Sequence, residues 1–118
     1  MALIVTCKNL TDTIETLRQI TRAIENGKIP DWEKAGTNYF RSTMAEYGDQ
    51  ACFSPTIKDN RLYFGLVKPK APREPVTRAI YEAYHSMFYA VLVRLSWKYY
   101  FTVEKTDGRL EGIDAEIA

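Results

Sequence analysis

Arg78, Glu82, His85 and Tyr89 are spaced by four, three and four residues, a pattern that puts all four side chains on one face of a helix. A guanidinium, a carboxylate, an imidazole and a phenol brought together in this way could do acid–base work. The imidazole titrates near physiological pH, a neighbouring carboxylate fixes its tautomer, and an arginine holds a phosphate bidentately. Arg78, Glu82 and His85 are therefore the catalytic candidates. The same four residues also suit a solvated helix face on which Arg78 and Glu82 form an i,i+4 pair worth a few tenths of a kcal/mol. Glu82-x-x-His85 has the spacing of carboxylate-bridged di-iron bundles, which need the motif twice. With His85 the single histidine of the chain, only a homodimer would supply the second copy. Cys7 and Cys52 are too few for a zinc site or a disulfide framework, so neither a metal nor another cofactor is expected.

The elements that must position these groups follow from periodicity. Residues 2–7 are nearly all apolar and include Ile4, Val5 and Thr6, as in a strand covered on both faces. Asp12-Thr13-Ile14-Glu15 resembles a capping box. It opens a helix whose apolar side is Leu10, Ile14, Leu17, Thr21 and Ile24, and which Asn26-Gly27 and Pro30 close. Asp31 then caps a second helix, with Trp32, Ala35, Tyr39, Phe40, Thr43, Met44 and Tyr47 on its apolar side and Gly48 at its end. Two strands, 52–58 and 61–67, flank Asp59-Asn60 as a hairpin, and Pro55 pushes the first of them toward a sheet edge.

Three prolines between residues 68 and 75 mark a linker. From Pro75 to about residue 96 a third helix buries Val76, Ile80, Tyr84, Met87, Phe88, Val91 and Leu95. A strand follows near residues 99–104, a weaker one is expected at 110–113, and the acidic end with Glu111, Asp114 and Glu116 should fray. The order is β, α, α, β, β, α, β with a possible last strand. Without its second helix this is a split βαββαβ, ferredoxin-like sandwich, so the expected fold is a single α+β domain over residues 1–118.

A chain of 118 residues with a net charge of +1 is neither broadly basic nor disordered in composition. The longest apolar run, residues 87–93, is seven residues long, far short of the ~20 that span a bilayer. With no secretion signal at the N-terminus, a cytoplasmic location and no membrane partner are expected. The one basic cluster is Lys68, Lys70 and Arg73, which could meet nucleic-acid phosphates or simply solubilise the loop. Eight tyrosines, five phenylalanines and two tryptophans exceed what a modest core hides. Tyr81, Tyr89, Trp97 and Tyr100 fall off the buried stripe, where they suit a protein interface.

Arg78-Ala79-Ile80-Tyr81-Glu82-Ala83-Tyr84-His85, followed by Ser86-Met87-Phe88-Tyr89-Ala90, resembles the arginine-to-histidine helix motif of HEPN-domain ribonucleases over about 13 residues. The resemblance implies an all-helical bundle, usually a homodimer, and metal-independent RNA cleavage by Arg78 and His85. The βαββαβ order invites a second comparison, with RNA-recognition-motif domains. Leu3-Ile4-Val5-Thr6-Cys7-Lys8-Asn9-Leu10 and Arg61-Leu62-Tyr63-Phe64-Gly65-Leu66-Val67 loosely resemble their strand motifs, which implies base stacking on Tyr63 beside Arg61.

These observations favour a small non-enzymatic interaction protein, such as an inhibitor, immunity factor or adaptor of the kind mobile elements carry, with another protein as its partner. The alternative is an RNA-binding protein or ribonuclease using Arg78 and His85.

Overall fold

The computed structural model describes residues 2–36, 39–72, 74–99 and 101–117. The first apolar run forms β1 (Leu3–Thr6), with Leu3 and Val5 in the main core and Ile4 buried on the other face. Helix α1 (Leu10–Glu25) starts earlier than the capping box implied. Asn9 is extended, and its side chain accepts from the Asp12 backbone N–H at 2.9 Å. Asp12 therefore sits in the first turn, where a carboxylate meets the positive end of the helix. The buried face is Thr13, Thr16, Ile20, Ala23 and Ile24, while Leu10 and Ile14 are exposed. Two threonine hydroxyls are on the buried face. Thr13 donates to the Asn60 carbonyl at 2.9 Å, and the Thr16 hydroxyl contacts Cys7 Sγ at 3.4 Å, so polar side chains face the sheet with their hydrogen-bonding needs met.

The expected helix over residues 31–47 is instead a β-hairpin, β2 (Trp32–Ala35) and β3 (Tyr39–Ser42). Trp32 pairs with Ser42 and Lys34 with Phe40, so Trp32 and Phe40 point to the core from alternate positions. Gly36 takes φ +65° after β2, a conformation glycine adopts without the penalty a Cβ would bring. Glu33 and Arg41 lock the register through a 2.6 Å ion pair on the opposite face.

Next come β4 (Cys52–Lys58) and β5 (Arg61–Val67), paired from Cys52–Val67 to Lys58–Arg61. Asp59 and Asn60, both at positive φ, form the tight turn. β4 is interior rather than an edge strand. Among the described residues its one residue pair with β3 is Phe40–Phe53. Helix α2 (Arg78–Tyr99) begins after Pro75, with the Thr77 hydroxyl near the Ile80 N–H at 3.4 Å, and β6 (Thr102–Lys105) returns beside β1.

The result is mixed α+β, with, among the described residues, two helices and a six-stranded antiparallel sheet in the order β2-β3-β4-β5-β1-β6. It is not the all-helical bundle implied by the arginine-to-histidine motif. No helix among the described residues is long and apolar enough to cross a membrane.

Much of the aromatic surplus is interior. Phe88 packs on Trp32, Phe53 and Phe64 with ring centroids 4.7, 5.0 and 5.2 Å away. The acidic end does not fray, nor does it form a strand at 110–113. Ala115 donates its N–H to the Leu66 carbonyl at 2.8 Å, and Glu116 accepts from the Val76 N–H at 2.7 Å. Gly65 makes this docking possible, since a Cβ there would stand 2.1 Å from the Ile113 carbonyl oxygen.

Candidate functional site

The face that α2 buries is Tyr81, Tyr84, His85, Phe88, Val91 and Leu92, turned from the expected stripe so that Ile80, Met87 and Leu95 lie half-buried at its flank. This turn separates the four residues expected to converge. Arg78 and Glu82 are exposed, His85 is fully buried, and Tyr89 is half-buried with Lys105 Nζ 4.8 Å over its ring. The imidazole therefore has no solvent-facing contact with a substrate, and the pairing of Arg78 with His85 on one open face is corrected.

What surrounds His85 is a buried polar cluster. Its Nδ1 lies 2.6 Å from the Tyr81 carbonyl. A carbonyl only accepts, so the proton sits on Nδ1 and the lone pair on Nε2. Nε2 has no hydrogen-bond partner among the described residues and faces Asp114 Oδ1 at 3.7 Å, beyond hydrogen-bonding range. Burial holds the imidazole below its ordinary pKa, against the opposing pull of the Asp114 carboxylate. Asp114 accepts from the Leu66 N–H at 2.9 Å, the Leu110 N–H at 3.0 Å and the Tyr81 hydroxyl at 3.1 Å. These bonds tie the C-terminal segment, β5 and α2 together, which is the work of a structural cluster.

Tyr84, next to it, donates its hydroxyl proton toward the Tyr47 and Ala51 carbonyls at 2.7 and 2.8 Å, and burial pushes its pKa up to about 12. Burial likewise raises the Cys52 thiol to about 11, which removes it as a nucleophile at neutral pH. No cluster of three or more His, Cys, Asp or Glu side chains suited to a metal assembles among the described residues.

Of the expected partner-binding aromatics, Tyr81 is buried, contrary to expectation, and Tyr100 lies outside the described residues. Trp97 is 83% exposed. In the basic loop, Arg73 lies outside the described residues, and Lys68 Nζ is 3.7 Å from Glu74. Lys70 shares a cleft with Arg41, Asp49 and Glu74, so the cationic cluster faces carboxylates of its own chain.

A cleft of about 130 Å³ opens between residues 28–30 and the second half of α2, the half that carries Trp97. Ile29, Pro30, Val91 and Leu95 provide its apolar surface, and Lys28, Arg94 and Lys98 its charge. None of these three cations forms an ion pair among the described residues. Sequence reasoning missed this site because residues 28–30 read only as a helix terminator and Arg94 and Lys98 belonged to no motif. The readable signal was the recurrence Arg94, Trp97, Lys98 just past the buried face. Asp114 was missed as well, although an aspartate between Ile113 and Ala115 is out of place in a fraying tail. Comparison with known proteins returns no matching family model, no matching curated protein and no matching solved structure.

Proposed function

We propose that this chain is a small, non-enzymatic protein-interaction module, of the inhibitor, immunity or adaptor type, that occupies a partner's surface with the C-terminal half of α2. The observation that carries the reading is Trp97, a large aromatic 83% exposed on the same half of α2 as Val91, Arg94, Leu95 and Lys98, which line an apolar cleft rimmed by cations that form no ion pair among the described residues. Leaving an indole in water forgoes the ~1.5–3 kcal/mol that burying a large apolar side chain brings, and tryptophan is enriched among the residues that dominate binding energy. The burial of His85 and the satisfied bonding of Asp114 favour scaffold over catalyst for the histidine cluster. For the scaffold itself we read a βαββαβ sandwich of β1, α1, β4, β5, α2 and β6, enlarged by the β2–β3 hairpin. The order β4-β5-β1-β6 within the sheet supports this.

Affinity capture from the encoding cell with the wild-type chain and with Trp97→Ala, followed by titration of the purified partner, tests the reading. Trp97→Ala should weaken binding by on the order of 1–2 kcal/mol, whereas Lys58→Ala, on the exposed end of β4, should bind as wild type. A captured protein that binds both Trp97 forms equally would overturn the assignment. Single-stranded RNA bound more tightly than any protein, with affinity falling steeply as salt rises, would favour the RNA reading instead.

A further inference from the structure

We infer that the cleft between residues 28–30 and the second half of α2 takes an acidic peptide segment of a partner protein, with one bulky apolar side chain seated on Ile29, Val91 and Leu95 and flanking carboxylates paired with Lys28, Arg94 and Lys98. The inference rests on the interaction reading above and narrows it to a ligand chemistry.

Three observations carry it. The first is size. An apolar cavity of about 150 Å³ holds a benzene ring, whereas sites for drug-sized molecules run from about 300 Å³ upward, so a cleft of about 130 Å³ fits a single leucine- or phenylalanine-sized group. The second is the sign of the rim. Three cations line the cleft with no acidic residue among the lining side chains, and none forms an ion pair among the described residues. The third is the origin of those cations. A helix C-terminus favours positive charge, which accounts for Lys98 in the last turn of α2. It does not account for Lys28, which arrives from another segment, nor for the apolar surface the charges surround.

The aliphatic floor also argues for a peptide over a nucleic acid. Bases bind single-strand sites by stacking on aromatic platforms, and the lining side chains here include no aromatic ring. A partner carrying carboxylates would gain association rate from the cationic rim and hold from the buried anchor.

The test is selection of random displayed peptides on the full chain, followed by titration of the enriched peptides. Enriched sequences should carry Asp or Glu around one Leu, Ile or Phe. Alanine at that anchor should weaken binding roughly tenfold or more. The double variant Arg94→Glu/Lys98→Glu, altered only at exposed positions and checked for folding by circular dichroism, should do the same. Failure to enrich any peptide, enrichment of peptides without acidic residues, or indifference to the charge reversal overturns the inference. So does preferential binding of oligouridylate or phosphatidylserine vesicles that the same reversal abolishes. A captured partner protein sensitive to Trp97→Ala but indifferent to Arg94→Glu/Lys98→Glu would sink the acidic-peptide inference and leave the interaction reading standing. Indifference to Trp97→Ala sinks the interaction reading.

Discussion

At the scale of single residues, Asp114 has the most to lose. Replacing it with alanine strands the Leu66 and Leu110 backbone N–H groups, and each such group left unsatisfied costs about 1–3 kcal/mol. Asp114→Ala should therefore lower unfolding free energy by about 3–5 kcal/mol in urea titration. A loss within the range of a surface substitution would contradict the bonding described. His85 gives a pH dependence of defined sign. Because its folded pKa lies below the ordinary 6.5, the unfolded chain takes up the proton more readily. His85's contribution is then complete above the unfolded value and is lost as pH falls from there toward the folded one. Wild type should lose more stability than His85→Leu between about pH 7.5 and 5, and parallel losses would show that the ring is not held neutral. The position of His85 was not legible from spacing. Helical periodicity places Arg78, Glu82 and His85 on neighbouring rows, but the inward-turned histidine packs on distant stretches of chain, Phe53 of β4 with its ring centroid 5.3 Å away and Asp114 of the terminal segment.

At the scale of elements, the hairpin at Asp59-Asn60 was readable because two residues suited to positive φ lie between two strand-like runs, a local signal that tertiary packing has no reason to override. Residues 31–47 were not. Trp32, Ala35, Tyr39 and Phe40 recur at helical spacing, and short apolar patterns serve either period. Gly36, at positive φ between the two short runs, was the better guide. Gly65 shows a constraint that no local pattern reveals, since its lack of a side chain is required by Ile113 crossing over it. Gly65→Ala should displace the C-terminal segment at a cost of about 1–3 kcal/mol, with faster hydrogen exchange at Ala115 and Val76, whose N–H groups anchor it. Unchanged exchange there would show that the segment docks independently of β5. Tyr84→Phe should similarly speed exchange in residues 43–51, because its hydroxyl reaches the Tyr47 and Ala51 carbonyls.

At the scale of the whole molecule, the α+β class and a long helix after Pro75 followed from the sequence, although not the face that helix buries, and the aromatic count rightly implied that some rings reach the surface. Composition alone could not say which ones, because tyrosine and tryptophan serve interiors and interfaces equally well. Trp32 packs among Phe53, Tyr84 and Phe88, while Trp97 stands in water. The two indoles are therefore natural reporters of opposite environments, one for the core and one for the proposed contact surface. Titrating the captured partner into 15N-labelled chain and following the two indole N–H resonances tests the binding surface most directly. The Trp97 resonance should shift or broaden in proportion to complex formed while that of Trp32 stays in place. A complex that forms with the Trp97 resonance unmoved would contradict the account.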